Sequence, residues 1–149
     1  MGMQGFPHRY TVTATADSEG DLFLDSPDLP TMPYAAPPEF DGPGDRWSPE
    51  TLLVASVASC LNLTFRAIAK ASKLPWTSLT CDADGTLDRV DRVTQFTALH
   101  LRARLELPPG ANEDQARRLL VKAEETCLIT RSLRADVRLD VEVLVAANV

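Results

Sequence analysis

Three cysteines, Cys60, Cys81 and Cys127, are the side chains in this sequence best suited to covalent chemistry. A thiolate can attack an electrophile, and once oxidised to a sulfenic acid it condenses with a second thiol to a disulfide. Metal binding is poorly served: only His8 and His100 could join the cysteines, no C-x-x-C pair occurs, and a structural zinc site takes four closely spaced N/S ligands. Cys60 and Cys127 each fall on the apolar side of an expected helix, and Cys81 takes an inward position of an expected strand. On spacing alone, all three also read as small buried hydrophobes, which free cysteines often are.

Cys60 sits in the middle of a helical stretch from Ser48 to Lys73. Ser48 is a good N-cap, Pro49 fits the first helical position, and Glu50 puts negative charge in the first turn. From Thr51 to Phe65 there is no charge, and apolar residues cover every side of the cylinder, the pattern of a buried central helix. The uncharged run is short and interrupted by Ser56, Ser59 and Asn62, so a bilayer span is not expected. Cys127 ends a second helical pattern that Asn112 would cap. There Ala116, Leu119, Leu120, Ala123 and Cys127 form one stripe, with the thiol at or just past the helix end.

The remaining elements are strands and one long loop. Arg9–Ala16 alternates, Asp17–Asp21 is a turn, and Leu22–Leu24 returns, predicting an opening hairpin. Six prolines between Ser26 and Gly44 forbid a helix and predict an extended surface loop that delivers Phe40, Arg46 and Trp47 onto the central helix. Leu74-Pro75-Trp76 breaks that helix. Leu79, Cys81, Ala83, Gly85 and Leu87 then alternate as a strand, Asp88–Arg92 is a charged connection, and Leu99–Leu107 forms a longer strand. Leu128–Leu133 is a short link, and Val137–Val145 a final strand. The order predicts one α+β domain over residues 1–149, an antiparallel sheet forming one layer and two helices the other.

Composition narrows the function classes. The chain has 149 residues, 44% of them hydrophobic, with 15 basic and 21 acidic residues giving a net charge of −6. Without a basic cluster, a nucleic-acid partner is disfavoured. No apolar leader is visible at the start, and three cysteines without an export signal argue against a disulfide framework. A cytosolic setting with reduced thiols is expected, without membrane attachment.

Two motifs then narrow the reading. Phe40-Asp41-Gly42-Pro43-Gly44, with Ser48-Pro49-Glu50-Thr51-Leu52-Leu53 running into Ala58-Ser59-Cys60, resembles the central motif of the OsmC/Ohr family. Ala123-Glu124-Glu125-Thr126-Cys127-Leu128-Ile129-Thr130, followed by Ser132-Leu133, resembles its second-cysteine segment. The resemblance covers nearly the whole chain. It implies an OsmC-like fold, an intertwined homodimer with sites at the dimer interface, and thiol peroxidase chemistry on organic hydroperoxides in oxidative-stress defence. Cys60 matches the peroxidatic thiol, Cys127 the resolving thiol, and Glu50 the family's glutamate. No bound cofactor is implied; the expected reductant is an external dithiol of lipoyl type.

Physical chemistry constrains these roles. A mid-helix cysteine cannot use its own helix N-terminus, and apolar surroundings raise its pKa, so a nearby cation is expected to activate it. Glu50 lies about 15 Å from Cys60 along a straight helix and is expected to hold an arginine instead. The sequence departs from the family here, because the early turn and the residue before Phe40 (Glu39) supply no arginine; Arg46 is the substitute and Arg131 the alternative. Leu128 stands where the second motif often has proline. Phe40 and Trp47, with Met32 and Tyr34, would line an apolar substrate pocket or dock a partner subunit. Two other readings stay open: a dimeric ligand-binding module with inert cysteines, and a disulfide or lipoyl exchange protein without peroxidase activity.

Overall fold

The computed structural model describes residues 3–148. They form two compact units, divided within the first helix between Leu52 and Leu53.

In the first unit, β1 (Thr13–Thr15) and β2 (Leu22–Asp25) make the expected hairpin, in the register Thr13 opposite Asp25. The proline-rich segment is more ordered than its composition predicts. Residues Met32–Tyr34 form an edge strand, β3, antiparallel to β2, and Pro33 is tolerated there because an edge strand leaves N–H positions unpaired. Pro38–Phe40 form a single 3-10 turn with proline in its first position. Asp41 ends it in the left-handed conformation (φ 63°), its N–H donating to Pro38 O at 3.1 Å. A Cβ on Gly42 would collide with the Ala36 carbonyl, so the glycine of this motif is a backbone requirement. Ala35 N–H donates to Trp47 O at 3.0 Å and closes the loop.

Helix α1 spans Pro49–Ala71. Ser48 and Thr51 cap it reciprocally: Thr51 N–H donates to Ser48 Oγ at 3.1 Å, and Ser48 N–H to Thr51 Oγ1 at 2.9 Å. At its end Lys73 adopts the left-handed conformation (φ 55°), and Leu74 N–H reaches back to Ala69 O at 3.0 Å. By length and composition alone this 23-residue helix suffices to cross a bilayer, contrary to the sequence expectation, because the apolar stretch continues past Phe65 to Ile68 and Ala69. Nor is it buried all round. Val57, Leu61, Phe65 and Ala69 form one fully buried stripe, while Leu63 is 64% exposed.

The second unit carries the core. Strands β4 (Ser78–Val90) and β5 (Val93–Leu107) form a long antiparallel hairpin with a bulge at Thr86/Leu87. The predicted five-residue connection shrinks to a two-residue turn, Asp91-Arg92, with both residues at positive φ (50° and 69°). After α2 (Glu113–Thr126) and a single turn, α3 (Leu128–Arg131), strand β6 (Asp136–Val145) joins β5 in parallel. The sheet is therefore mixed and not purely antiparallel. The helical crossover after β5 carries the chain back along the sheet, so β6 starts from the same end as β5.

One sheet face (Leu79, Cys81, Ala83; Leu99 to Leu107; Val137 to Val143) packs with the α1 stripe and with Ala116, Leu120 and Ala123 of α2 in a single core. Trp76 closes its end, edge-on to Phe65 at 5.4 Å. The opposite face is polar, with Arg102–Asp84 and His100–Asp140 contacts of 2.7 Å each.

A Cβ on Gly85 of β4 would lie 2.6 Å from Val54 Cγ2 and 2.9 Å from the Phe96 ring. Gly85→Ala is therefore expected to lower the unfolding free energy in urea by roughly 1–3 kcal/mol, as overpacking does. Replacing Asp91-Arg92 by Asn-Gly relieves two left-handed residues and is expected to raise stability by about 1 kcal/mol, read as a higher Tm.

Candidate active site

Cys60 projects from the middle of α1 and is half-buried; Cys127 is buried. The position of Cys127 follows from how the chain turns between two helices. It is at once the residue that closes α2, its N–H donating to Glu124 O at 3.2 Å, and the N-cap of α3, its carbonyl accepting from Arg131 N–H at 3.1 Å. Its backbone is extended (φ −63°, ψ 116°), so the helical ladder is interrupted there. No side chain caps α3 by hydrogen bonding, which leaves the first amides of that turn free to face a sulfur.

The thiols are brought together, and their protons are not equivalent. Burial opposes ionisation of Cys60, yet the thiol is held below its ordinary value. The Cys127 thiol, the Ile129 amide, the Thr64 hydroxyl and the Leu128 amide, in that order, favour its thiolate. The same arrangement pushes Cys127 up, through burial first and then through its own donation to Cys60. The Thr130 amide and hydroxyl and the Ile129 amide act the other way at Cys127. Of these, the amides are the firmer support, because the Thr130 hydroxyl directs its one proton to the Cys127 carbonyl at 3.0 Å. The two thiols are thus displaced in opposite directions, Cys60 toward the thiolate and Cys127 toward the thiol.

Within the single chain, the groups acting on Cys60 are a thiol, a hydroxyl and two amides. The sequence argument looked for a cation and overlooked the amides of the turn after Cys127. Thr64 was missed as well. Its spacing of four residues from Cys60, the reach between neighbours on one helix face, was the signal for it.

Cys81 is set apart. Burial first, then the charge of Asp82, push its thiol up to about 11, with Arg102 offsetting part of this and Cys127 adding to it. It remains protonated at neutral pH and packs among the inward residues of the sheet.

The other sequence candidates fall in both units. Arg131, the alternative arginine, donates through Nη1 to Glu125 O at 3.0 Å and so braces the α2–α3 junction. Arg46, Glu50, Phe40 and Trp47 belong to the first unit. Arg46 is exposed and Glu50 half-buried in the first turn of α1. Among the described residues neither takes part in an ion pair. Phe40 and Trp47 are 56% and 50% exposed, so neither is enclosed within the chain. A shallow groove along the outer side of α2, lined by Arg117, Arg118, Val121, Lys122, Glu125 and Thr126, contains no thiol.

The predicted effect of the shared proton is testable. Cys127→Ala removes a donor from Cys60, so the pH midpoint of Cys60 alkylation by iodoacetamide is expected to rise. Cys127→Ser, which keeps an O–H donor, should move it less.

Comparison with known proteins places this geometry. The OsmC-like protein family matches residues 42–142, a span that contains both Cys60 and Cys127. An uncharacterised Bacillus subtilis protein, YmaD, is 30% identical over 109 residues, covering 71% of this chain and 73% of the relative. Peroxiredoxin OsmC of Escherichia coli is 26% identical over 122 residues, covering 82% and 84%. Among solved structures, an OsmC-like protein of unknown function from Vibrio cholerae superposes with a TM-score of 0.84 at 20% identity, over 91% of this chain and 100% of that one. The α+β fold is thus OsmC-like, and the chain belongs to the OsmC-like protein family.

Proposed function

We propose that this protein is a dithiol peroxidase that reduces organic hydroperoxides, with Cys60 as the peroxidatic and Cys127 as the resolving thiol. The observation that carries the reading is the pairing of these thiols with opposite displacements of their proton affinities. The likeness to Peroxiredoxin OsmC supports the same reaction class.

In the first step the Cys60 thiolate attacks the terminal oxygen of ROOH. A sulfur–oxygen bond forms, the O–O bond breaks, and the alkoxide leaves as ROH after taking a proton from solvent. Cys60 is then a sulfenic acid, oxidised by two electrons. Cys127, kept as a thiol until this point, attacks the Cys60 sulfur. The disulfide forms and the hydroxyl departs with the Cys127 proton as water. An external dithiol, of lipoyl type, returns both electrons by exchange and leaves as its own disulfide. No bound cofactor is needed in this scheme.

The working unit is proposed to be a homodimer in a reducing, cytosolic setting. In support, the single chain leaves Leu63 of α1 and the aromatics Phe40 and Trp47 uncovered. Those aromatics would wall the peroxide's organic group, with Glu50 and Arg46 contributing at the completed site. The stripe of α1 in the core supports reading that helix as part of the globular fold rather than a bilayer span.

Steady-state turnover of cumene hydroperoxide with a dihydrolipoyl reductant tests the scheme. Cys60→Ser is expected to abolish it, a loss of at least three orders of magnitude, as removal of a nucleophile does. Cys127→Ser should still consume one peroxide per chain and then stall as a sulfenic acid. Wild-type turnover that survives in Cys60→Ser would refute the assignment.

A further inference from the structure

Helix α1 carries four hydroxyl side chains, and one behaves differently from the rest. Thr51 Oγ1 donates to Ser48 O at 3.1 Å, Ser56 Oγ to Leu53 O at 2.6 Å, and Ser59 Oγ to Ser56 O at 3.2 Å. These are the local back-bonds that helical Ser and Thr ordinarily make. Thr64 could make the same bond to the Cys60 carbonyl, four residues back. Instead its half-buried hydroxyl lies 3.8 Å from Cys60 Sγ, which is hydrogen-bonding distance for sulfur.

We propose that Thr64 is a positioning residue for Cys60: its hydroxyl donates to the Cys60 thiolate and holds the sulfur in one orientation. A thiolate can only accept, so in the ionised state Thr64 must be the donor. A threonine is stiff at χ1, so it presents the donor at little entropic cost. The hydroxyl is a neutral dipole, so its contribution does not depend on salt in the way a surface guanidinium's would.

The inference deepens the peroxidase reading, and the two fail separately in a suitable experiment. Each variant is reduced, and alkylation of Cys60 is followed by mass spectrometry across pH, beside peroxide turnover. Thr64→Val keeps the shape and removes the donor; the alkylation midpoint is expected to rise by about one pH unit, and Thr64→Ser should restore it. The second variant is Thr64→Ala, which deletes the same donor with a smaller side chain. An upward shift there as well supports the proposal, even if Thr64→Val fails to fold. Midpoints unmoved in folded Thr64→Val or in folded Thr64→Ala overturn it. Shifted midpoints without peroxide turnover in any variant, wild type included, would uphold the thiolate site and sink the peroxidase reading.

Discussion

The structure depends on a break in a helix. Had α2 continued through Cys127, its amides would have been consumed by the helical ladder and its sulfur would have pointed along the stripe set by Ala116, Leu120 and Ala123. Because Cys127 is extended instead, the chain ends one helix and starts another around a single residue. The sulfur and the next amides then face the same point, and Cys60 meets them there. Proton affinities follow from that meeting: the neighbouring groups draw the Cys60 thiol down, and burial with the Cys60 contact pushes Cys127 up.

The rest of the second unit serves to bring α1 to that junction. The stripe of Val57, Leu61, Phe65 and Ala69 fixes which face of α1 meets the sheet, and Cys60, one residue before Leu61, is carried to the edge of that face. Edge placement reconciles two demands. A thiol at the stripe's centre would be inert by burial, and one on the outer face would have no fixed neighbours. Gly85 sharpens the packing by letting α1 approach β4 at Val54.

Much of this was legible in the sequence, and the failures have physical causes. Capping signals located both helices, because Ser48 and Asn112 act locally. Alternation located the long strands but could not give the direction of β6, since parallel and antiparallel pairing impose the same inward pattern along a strand. Asp91-Arg92 hid a tight turn because neither residue is a usual left-handed turn former. The pair of thiols was indicated by the order of two motifs and not by periodicity, which does not report whether two helices touch. The amide donors were invisible because backbone groups leave no trace in composition. Even so, the departure from proline at Leu128 was visible, and it is the departure that leaves an N–H at that position.

The most direct test is a map of the disulfide formed when the reduced protein meets one equivalent of cumene hydroperoxide. Digestion under acid-quenched, non-reducing conditions followed by mass spectrometry is predicted to recover one linkage, Cys60 to Cys127, with Cys81 still a free thiol. Recovery of all three cysteines as thiols, or of a linkage that involves Cys81, would contradict the account.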